Sequence, residues 1–341
     1  MKNCSIIIPC YNCENTIMKC VNSLLEQNYD YEYEIILIDD ESTDNTLNII
    51  KNIDDKKIRV LHEKNSGPAY ARLYGVKQAR FEKLIFVDSD DFVDKNYIYY
   101  LLNEEEYIPF CLFNKSEKGK LFSQKDIKSG IYSKWEIIEY ILNSSTMCTF
   151  WRMCFDKNDF LEIKMNNLKY CEDVLFIVEY LIRSQKKIKV IPERIYNYNI
   201  SNSNSLSKKF YDEKNLYSFV QLPFEIKKIF DKYYLPFNAD KYVNREICFS
   251  LVRVYRIVDY KSFKSIFLSK KYSTLKKLQF DCEGSLPFKL YLFAFRTSHL
   301  FLIDFIEKIF RANKNKRKKI NITKKLEIIL NEKNSNNDNK R

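Results

Sequence analysis

Three short polar runs each follow an apolar stretch: Pro9-Cys10-Tyr11-Asn12, Asp39-Asp40-Glu41-Ser42 and Asp88-Ser89-Asp90-Asp91. Carboxylates crowded like those of the third run repel one another unless a cation neutralises them. A hard divalent ion bridging Asp88 and Asp90 to a diphosphate would do this and would stabilise a departing nucleoside diphosphate. Asp and Ser also favour ordinary turns, so a D-x-D pair alone is a weak sign. Asp39-Asp40 suits acceptance of hydrogen bonds from a nucleobase N–H or ribose hydroxyls. It equally suits a plain helix entry, with Ser42 as cap and Asp44 in the first turn. Asn65-Ser66-Gly67-Pro68 leads into Ala71-Arg72. A loop feeding a helix N-terminus, with Arg one turn later, fits a phosphate or a nucleotide, or is a simple turn with a solvated Arg. Glu172-Asp173 opens a helix after Tyr170-Cys171. Asp173 is suited to deprotonate an acceptor hydroxyl as a general base, the plainer reading being two acids that stabilise the helix dipole.

The elements that must position these residues alternate. Strands are expected at Ser5–Ile8, which Pro9 ends, and at Glu34–Ile38, Ile58–Leu61 and Leu84–Val87. Helices are expected at Asn15–Gln27, from Ser42 through Ile50, and at Ala69–Ala79. Crossover units of this length imply an α/β fold with a mostly parallel sheet, whose ligand crevice lies at the carboxyl ends of the strands. Further strands are expected at Tyr107–Phe113, Cys148–Phe155, Ile188–Ile191 and Ile195–Tyr198, with a helix at Glu172–Arg183. From about Tyr211 the pattern is helical, and Pro223 and Pro236 are expected to break it.

Composition narrows the class. The 341 residues are 45% hydrophobic with 25 Tyr and 25 Phe, enough for a sizeable core, and only 5 Gly and 7 Pro argue against long linkers or fibrous repeats. The apolar run after Met1-Lys2-Asn3-Cys4 is too short for a signal peptide, so a cytoplasmic location with mostly reduced thiols is expected. Cys10-x-x-Cys13 has no second pair or suitably spaced His for zinc, and reads as buried or loop thiols. The net charge is +12, and residues 301–341 hold 12 Lys or Arg against 5 Asp or Glu. Such a tail is solvated, or binds anionic lipid beside an amphipathic segment, or binds nucleic acid. Leu286–Phe310 is the most apolar stretch there. Lys289, Arg296 and Asp304 keep it from being a membrane span, leaving core packing, self-association or membrane-surface contact.

The order and spacing of the motifs say more than any one of them. Ser5–Asn12, Ile38–Asp44, Asn65–Arg72 with Gly75, Phe86–Asp91 and Glu172-Asp173 with Phe176 closely resemble family 2 glycosyltransferases of the GT-A fold. The resemblance covers roughly the first 200 residues. It implies that Pro9 and Tyr11 frame the nucleobase, Tyr11 by stacking, that Asp40 contacts the base, and that Arg72 supports the nucleotide. It implies further that Asp88 reaches the ribose or metal, Asp90 is the principal metal ligand, and Asp173 is the base of an inverting transfer. Thr149–Met153 and Tyr196–Asn199 followed by Ser203 and Ser205 are similar to later bacterial motifs, which puts Glu172, Trp151 and Tyr198 near the diphosphate or acceptor. The family implies Mn2+ or Mg2+, a nucleoside-diphosphate sugar (UDP-sugar favoured), and a saccharide or lipid-linked acceptor in surface polysaccharide or glycolipid synthesis. Glu41 departs from the family pattern, standing where Gly is usual. Pro68 and Tyr70 replace smaller residues and put the donor preference in question.

The expected organisation is a catalytic domain at 1–210, a helical region at 211–310 for acceptor, membrane-surface or oligomer contacts such as a homodimer, and a basic flexible tail at 311–341. Peripheral attachment to the inner face of the cytoplasmic membrane goes with that reading. A sugar-phosphate nucleotidyltransferase is the alternative enzyme, but the loop Pro9–Asn12 lacks its Gly-rich basic signature. A non-catalytic nucleotide- or nucleic-acid-binding protein is the third reading. Strand-end carboxylates argue against nucleic acid, because without metal they would repel phosphate.

Overall fold

The apolar runs of the first half form the expected alternation: β1 (Cys4–Cys10), α1 (Ile17–Leu25), β2 (Tyr33–Asp39), α2 (Thr46–Lys51), β3 (Ile58–His62), α3 (Pro68–Gln78) and β4 (Lys83–Phe86). Then follow β5 (Phe92–Val93), α4 (Tyr97–Leu102), β6 (Ile108–Glu117), β7 (Lys120–Ser123), β8 (Gly130–Tyr132) and α5 (Lys134–Ser144). After a 3-10 turn at Phe150–Arg152 come β9 (Cys154–Asp156), α6 (Lys157–Leu161), α7 (Glu172–Arg183) and β10 (Ile188–Asn199). The structure, a computed structural model, describes residues 2–64, 67–123, 126–144, 149–164, 172–201 and 216–235, with further helical positions at 242, 243, 251, 254 and 255. The chain divides into two units, Met1–Ser205 and Leu206–Arg341.

In the first unit one sheet has the order β3-β2-β1-β4-β9, parallel except for the β4–β9 pair. β1 and β2 are apolar on both faces because both faces are covered, and Ile6, Ile7, Ile8 and Ile35 to Ile38 are fully buried. The acidic exception, Glu34, is satisfied by the Ser5 hydroxyl at 2.7 Å, Arg59 at 2.7 Å and the Arg80 amide at 2.6 Å. Gly75 lets α3 settle on this sheet: a Cβ there would lie 2.7 Å from the Ile7 side chain and 2.8 Å from that of Ile38. A second sheet has the order β5-β10-β6-β7, with β8 also on β10.

Several expectations change. Pro9 does not end β1. The Cys10 carbonyl accepts the Asp40 amide at 2.9 Å, so the Pro9 nitrogen faces the other side, where pairing with β4 has stopped at Ile7–Phe86. No ladder bond is lost there. The helix expected from Ser42 starts instead at Thr46. The expected strand Cys148–Phe155 is a 3-10 turn followed by the short β9, Cys148 itself lying outside the described residues. The two strands expected at 188–191 and 195–198 are one strand, β10, with register shifts between Val190 and Tyr196, where Pro192 cannot donate a ladder bond.

Arg152 ties these parts together from inside. Its side chain is wholly buried, pairs with Asp126 at 2.8 Å, donates to the Cys111 carbonyl at 3.0 Å and lies 4.1 Å from the centre of the Phe110 ring.

In the second unit α8 (Leu216–Lys232) runs through Pro223, which was expected to break it. Leu222, Ile226 and Phe230, four residues apart, are buried, and burial of that face offsets the lost backbone bond. Pro236, the segment Leu286–Phe310 and the basic tail lie outside the described residues. Among the described residues no helix is long and apolar enough to cross a membrane.

Candidate functional site

The carboxyl ends of β1, β2 and β4 carry the three polar runs. The first two are stitched together. The Asn12 amide donates to Ser42 Oγ at 3.2 Å, the Thr43 amide to Asn12 Oδ1 at 2.8 Å, and the Cys13 amide to Thr46 Oγ1 at 2.8 Å. Ser42 therefore braces the first loop rather than capping α2. Asn12 and Glu41 have φ of 50° and 59°. Asn tolerates this left-handed region, whereas for Glu41 it costs about 1 kcal/mol, the strain that Gly would avoid. Tyr11 stands 48% exposed at this rim, its ring open to a ligand, while Pro9 is built into the strand behind it.

The two adjacent aspartates of β2 divide their duties. Asp39 is fully buried and its Oδ2 lies 2.9 Å from His62 Nδ1. Asp40 accepts the Gly67 amide at 3.0 Å, which fixes the N-terminus of α3 beside the strand end. Asn65 and Ser66 of that loop lie outside the described residues.

Arg72, one turn into α3, joins two further acids. It donates to Asp88 Oδ1 at 2.7 Å and to Glu172 Oε1 at 3.4 Å, across 100 residues of sequence, and sits 5.2 Å from the centre of the Phe150 ring. Burial works against its charge, but the Asp88 and Glu172 carboxylates outweigh it and hold the guanidinium above its usual value. Glu172 is raised by burial against the pull of Arg72. Asp173 is pushed well above the usual carboxylate range by burial and by its Glu172 neighbour, with Arg72 opposing. Tyr170 and Cys171, just before this helix, are outside the described residues.

The acids after β4 are not equivalent. Asp91 is 1% exposed and both its oxygens are engaged, Oδ2 by the Tyr196 hydroxyl at 2.6 Å and Oδ1 by the Asn199 amide at 2.7 Å. Burial, then the charges of Asp90 and Asp88, raise it well above the usual range. Asp91 is thus a structural anchor, and Asp88 and Asp90 remain half-buried at the rim. Among the described residues no three metal-ligating side chains converge on one point. Two carboxylates at a strand end nevertheless fit Mg2+ or Mn2+, because such ions are commonly held by one or two carboxylates with substrate phosphates supplying further oxygens.

Trp151, expected beside the diphosphate or acceptor, is instead in the core at 2% exposure. Its ring stacks on Tyr196 at 3.9 Å and 2°, so it backs the site through that residue. Tyr198 is half-buried, its ring nearly parallel to Trp151 at 6.5 Å. The resemblance places the segment Tyr196–Asn199 near the diphosphate or acceptor without giving Tyr196 or Asn199 a role of its own, and no spacing signal links them to Asp91, more than a hundred residues away. Cys10 and Cys13 are buried free thiols, as the sequence suggests. A hydrogen bond donated by the Cys10 thiol to Cys13, together with burial, pushes Cys10 up, and the same bond lowers Cys13.

Residues 5–138 match a family model described as glycosyl transferase family 2. The chain is 30% identical over 220 residues to an uncharacterized glycosyltransferase, EpsJ, of Bacillus subtilis, covering 60% of this chain and 62% of that one. It is 28% identical over 205 residues to the poly(ribitol-phosphate) beta-N-acetylglucosaminyltransferase TarS of Staphylococcus aureus, covering 58% of this chain and 35% of that one. It therefore spans less than two thirds of the length of these relatives. Crystal structures of S. aureus TarS 1-349 are similar in fold. The complex with UDP-GlcNAc gives a TM-score of 0.61 at 19% identity, covering 92% of this chain and 93% of that one. The complex with UDP gives 0.57 at 19%, covering 93% and 94%. The α/β core with its mostly parallel sheet is the expected GT-A type.

Proposed function

The chain carries a family 2 glycosyltransferase domain over residues 5–138, and on that premise we propose that it moves a sugar from a nucleoside-diphosphate carrier to an acceptor hydroxyl by an inverting, metal-dependent displacement. The observation that carries this reading is Arg72, whose two ion pairs join the strand-end acid Asp88 to Glu172, next to Asp173. Donor-side and acceptor-side carboxylates are thereby held around one buried guanidinium.

In this reading Tyr11 stacks on the nucleobase, with Pro9 framing it and Asp40 accepting from it. Arg72 orients Asp88 and offsets part of the negative charge of Asp88 and Glu172. Asp88 and Asp90 would hold Mn2+ or Mg2+, Asp90 as principal ligand, and the ion would stabilise negative charge on the departing diphosphate. Asp173 takes the proton of the acceptor hydroxyl, whose oxygen attacks the anomeric carbon on the face opposite the leaving group, inverting it. The raised position of Asp173 brings it nearer the operating pH, which suits a general base.

A UDP-sugar is the favoured donor, since the similar S. aureus structures are complexes with UDP and UDP-GlcNAc. With the purified 341-residue protein, UDP is expected to raise the melting temperature in Mn2+ and not in EDTA. GDP, CDP and ADP should do less, and Asp90→Ala should abolish the shift. Absence of a metal-dependent shift with any of the four would remove the donor-site reading.

A saccharide or lipid-linked acceptor in surface polysaccharide or glycolipid synthesis completes the proposal, with the enzyme cytoplasmic and peripheral at the membrane. The basic residues of 301–341 support the membrane part. Deleting 286–341 should reduce co-sedimentation with anionic liposomes, and unchanged sedimentation would rule that part out.

A further inference from the structure

We infer that Tyr196 is a positioning residue that sets the metal affinity of the donor site by clamping the turn that bears Asp88 and Asp90. The inference deepens the donor-site reading above and rests on it.

One phenolic oxygen serves two ends of that turn. The Asp88 amide donates to Tyr196 Oη at 3.2 Å, and the Tyr196 hydroxyl donates to Asp91 Oδ2 at 2.6 Å. The Asn199 amide holds the other Asp91 oxygen at 2.7 Å, and the Asp91 amide closes the turn onto the Asp88 carbonyl at 3.0 Å. The Cys20 thiol lies 3.7 Å from that carbonyl. Asp90 sits inside this closed loop of bonds, so its backbone is held through Asp88 and Asp91, whose turn is tied to β10, while Arg72 separately holds the Asp88 carboxylate at 2.7 Å.

The ring itself has little freedom. Tyr196 is fully buried, stacked on Trp151 and tilted 5.8 Å from Tyr97, whose hydroxyl donates to the Trp151 carbonyl at 2.7 Å. Next to it, Asn197 pairs with Phe92 of β5, immediately after the turn. Two like-charged carboxylates tend to swing apart in the absence of a cation. A rigid turn holds them ready, so that less ordering is needed when metal and diphosphate arrive.

Tyr196→Phe keeps the stacked ring and removes only the hydroxyl, leaving the Asp88 amide and the Asp91 carboxylate without their shared partner. The 341-residue variant is compared with the wild type by calorimetric titration of Mn2+ in the presence of excess UDP, and by melting temperature. Mn2+ affinity is expected to weaken about 10-fold, the size of effect of losing one buried hydrogen bond to a charged group. Tyr33→Phe supplies the control for stability alone. It deletes another buried hydroxyl, bonded to the Leu24 carbonyl at 2.9 Å and far along the chain from the turn, and is expected to lower the melting temperature with Mn2+ affinity unchanged. Mn2+ affinity within twofold of wild type in Tyr196→Phe, or an equal loss in Tyr33→Phe, would overturn the inference while leaving the donor-site reading intact. A wild type that takes up no Mn2+ with UDP would overturn both.

Discussion

Asp173→Asn is expected to lower kcat for sugar transfer about 1,000-fold, within the range attributed to a positioned general base, while UDP affinity stays within a few-fold of wild type. The amide is nearly isosteric but cannot take up a proton at neutral pH. The nucleotide contacts proposed for Tyr11, Asp40 and Asp90 are on other elements and stay in place. The pH profile supplies a second readout. Burial and the Glu172 charge raise Asp173 well above the ordinary carboxylate range. Its ionised form is the active one, so activity should be lost on acidification at a higher pH than a solvated aspartate would give. A variant that keeps full kcat, or a wild-type acid limb at the pH of a free carboxylate, would take the base role away from Asp173.

Arg72→Met is expected to damage stability and donor binding together. The guanidinium side chain is 11% exposed and its partners Asp88 and Glu172 are 30% and 11% exposed. Removing one partner of a buried pair strands the other charge, typically at 3–5 kcal/mol. Solvent around Asp88 reduces that, and about 2–3 kcal/mol is expected here. For a unit of this size that corresponds to a fall of roughly 5–10 °C in melting temperature, measured by scanning calorimetry. UDP affinity in Mn2+ should drop at least about 10-fold, because Asp88 loses the 2.7 Å contact that orients it. Arg72→Lys should recover part of the stability and little of the affinity, since a compact ammonium lacks the planar, spaced donors with which the guanidinium reaches Asp88 and Glu172 through separate nitrogens. Unchanged melting temperature and UDP affinity in Arg72→Met would mean that the two ion pairs do not organise the site.

Most of the core was legible in the chain because parallel strands buried on both faces leave near-continuous apolar runs. Ile6–Ile8, Ile35–Ile38 and Leu84–Val87 all read correctly, and the polar residues at their ends mark the crevice. The helix opened by Glu172 was legible from the apolar spacing of Val174, Ile177, Val178 and Leu181, of which all but Val174 are buried. Periodicity, however, records only which face of one element avoids water. It could not separate Asp91 from Asp88 and Asp90, because what distinguishes them is a hydroxyl and an amide on β10. It could not tell that Asp39 turns toward His62 while Asp40 turns toward α3, because a shared strand end offers both carboxylates the same local surroundings. Trp151 looked like a site residue from its motif and proved to be core, since its position depends on Tyr196 stacking from another strand. Residue types and their order along the chain thus determined the fold class and the cast of acids. Only the tertiary structure decided which acids are anchors and which are left at the rim, because hydrogen bonds between residues a hundred apart exist only after the strands have paired.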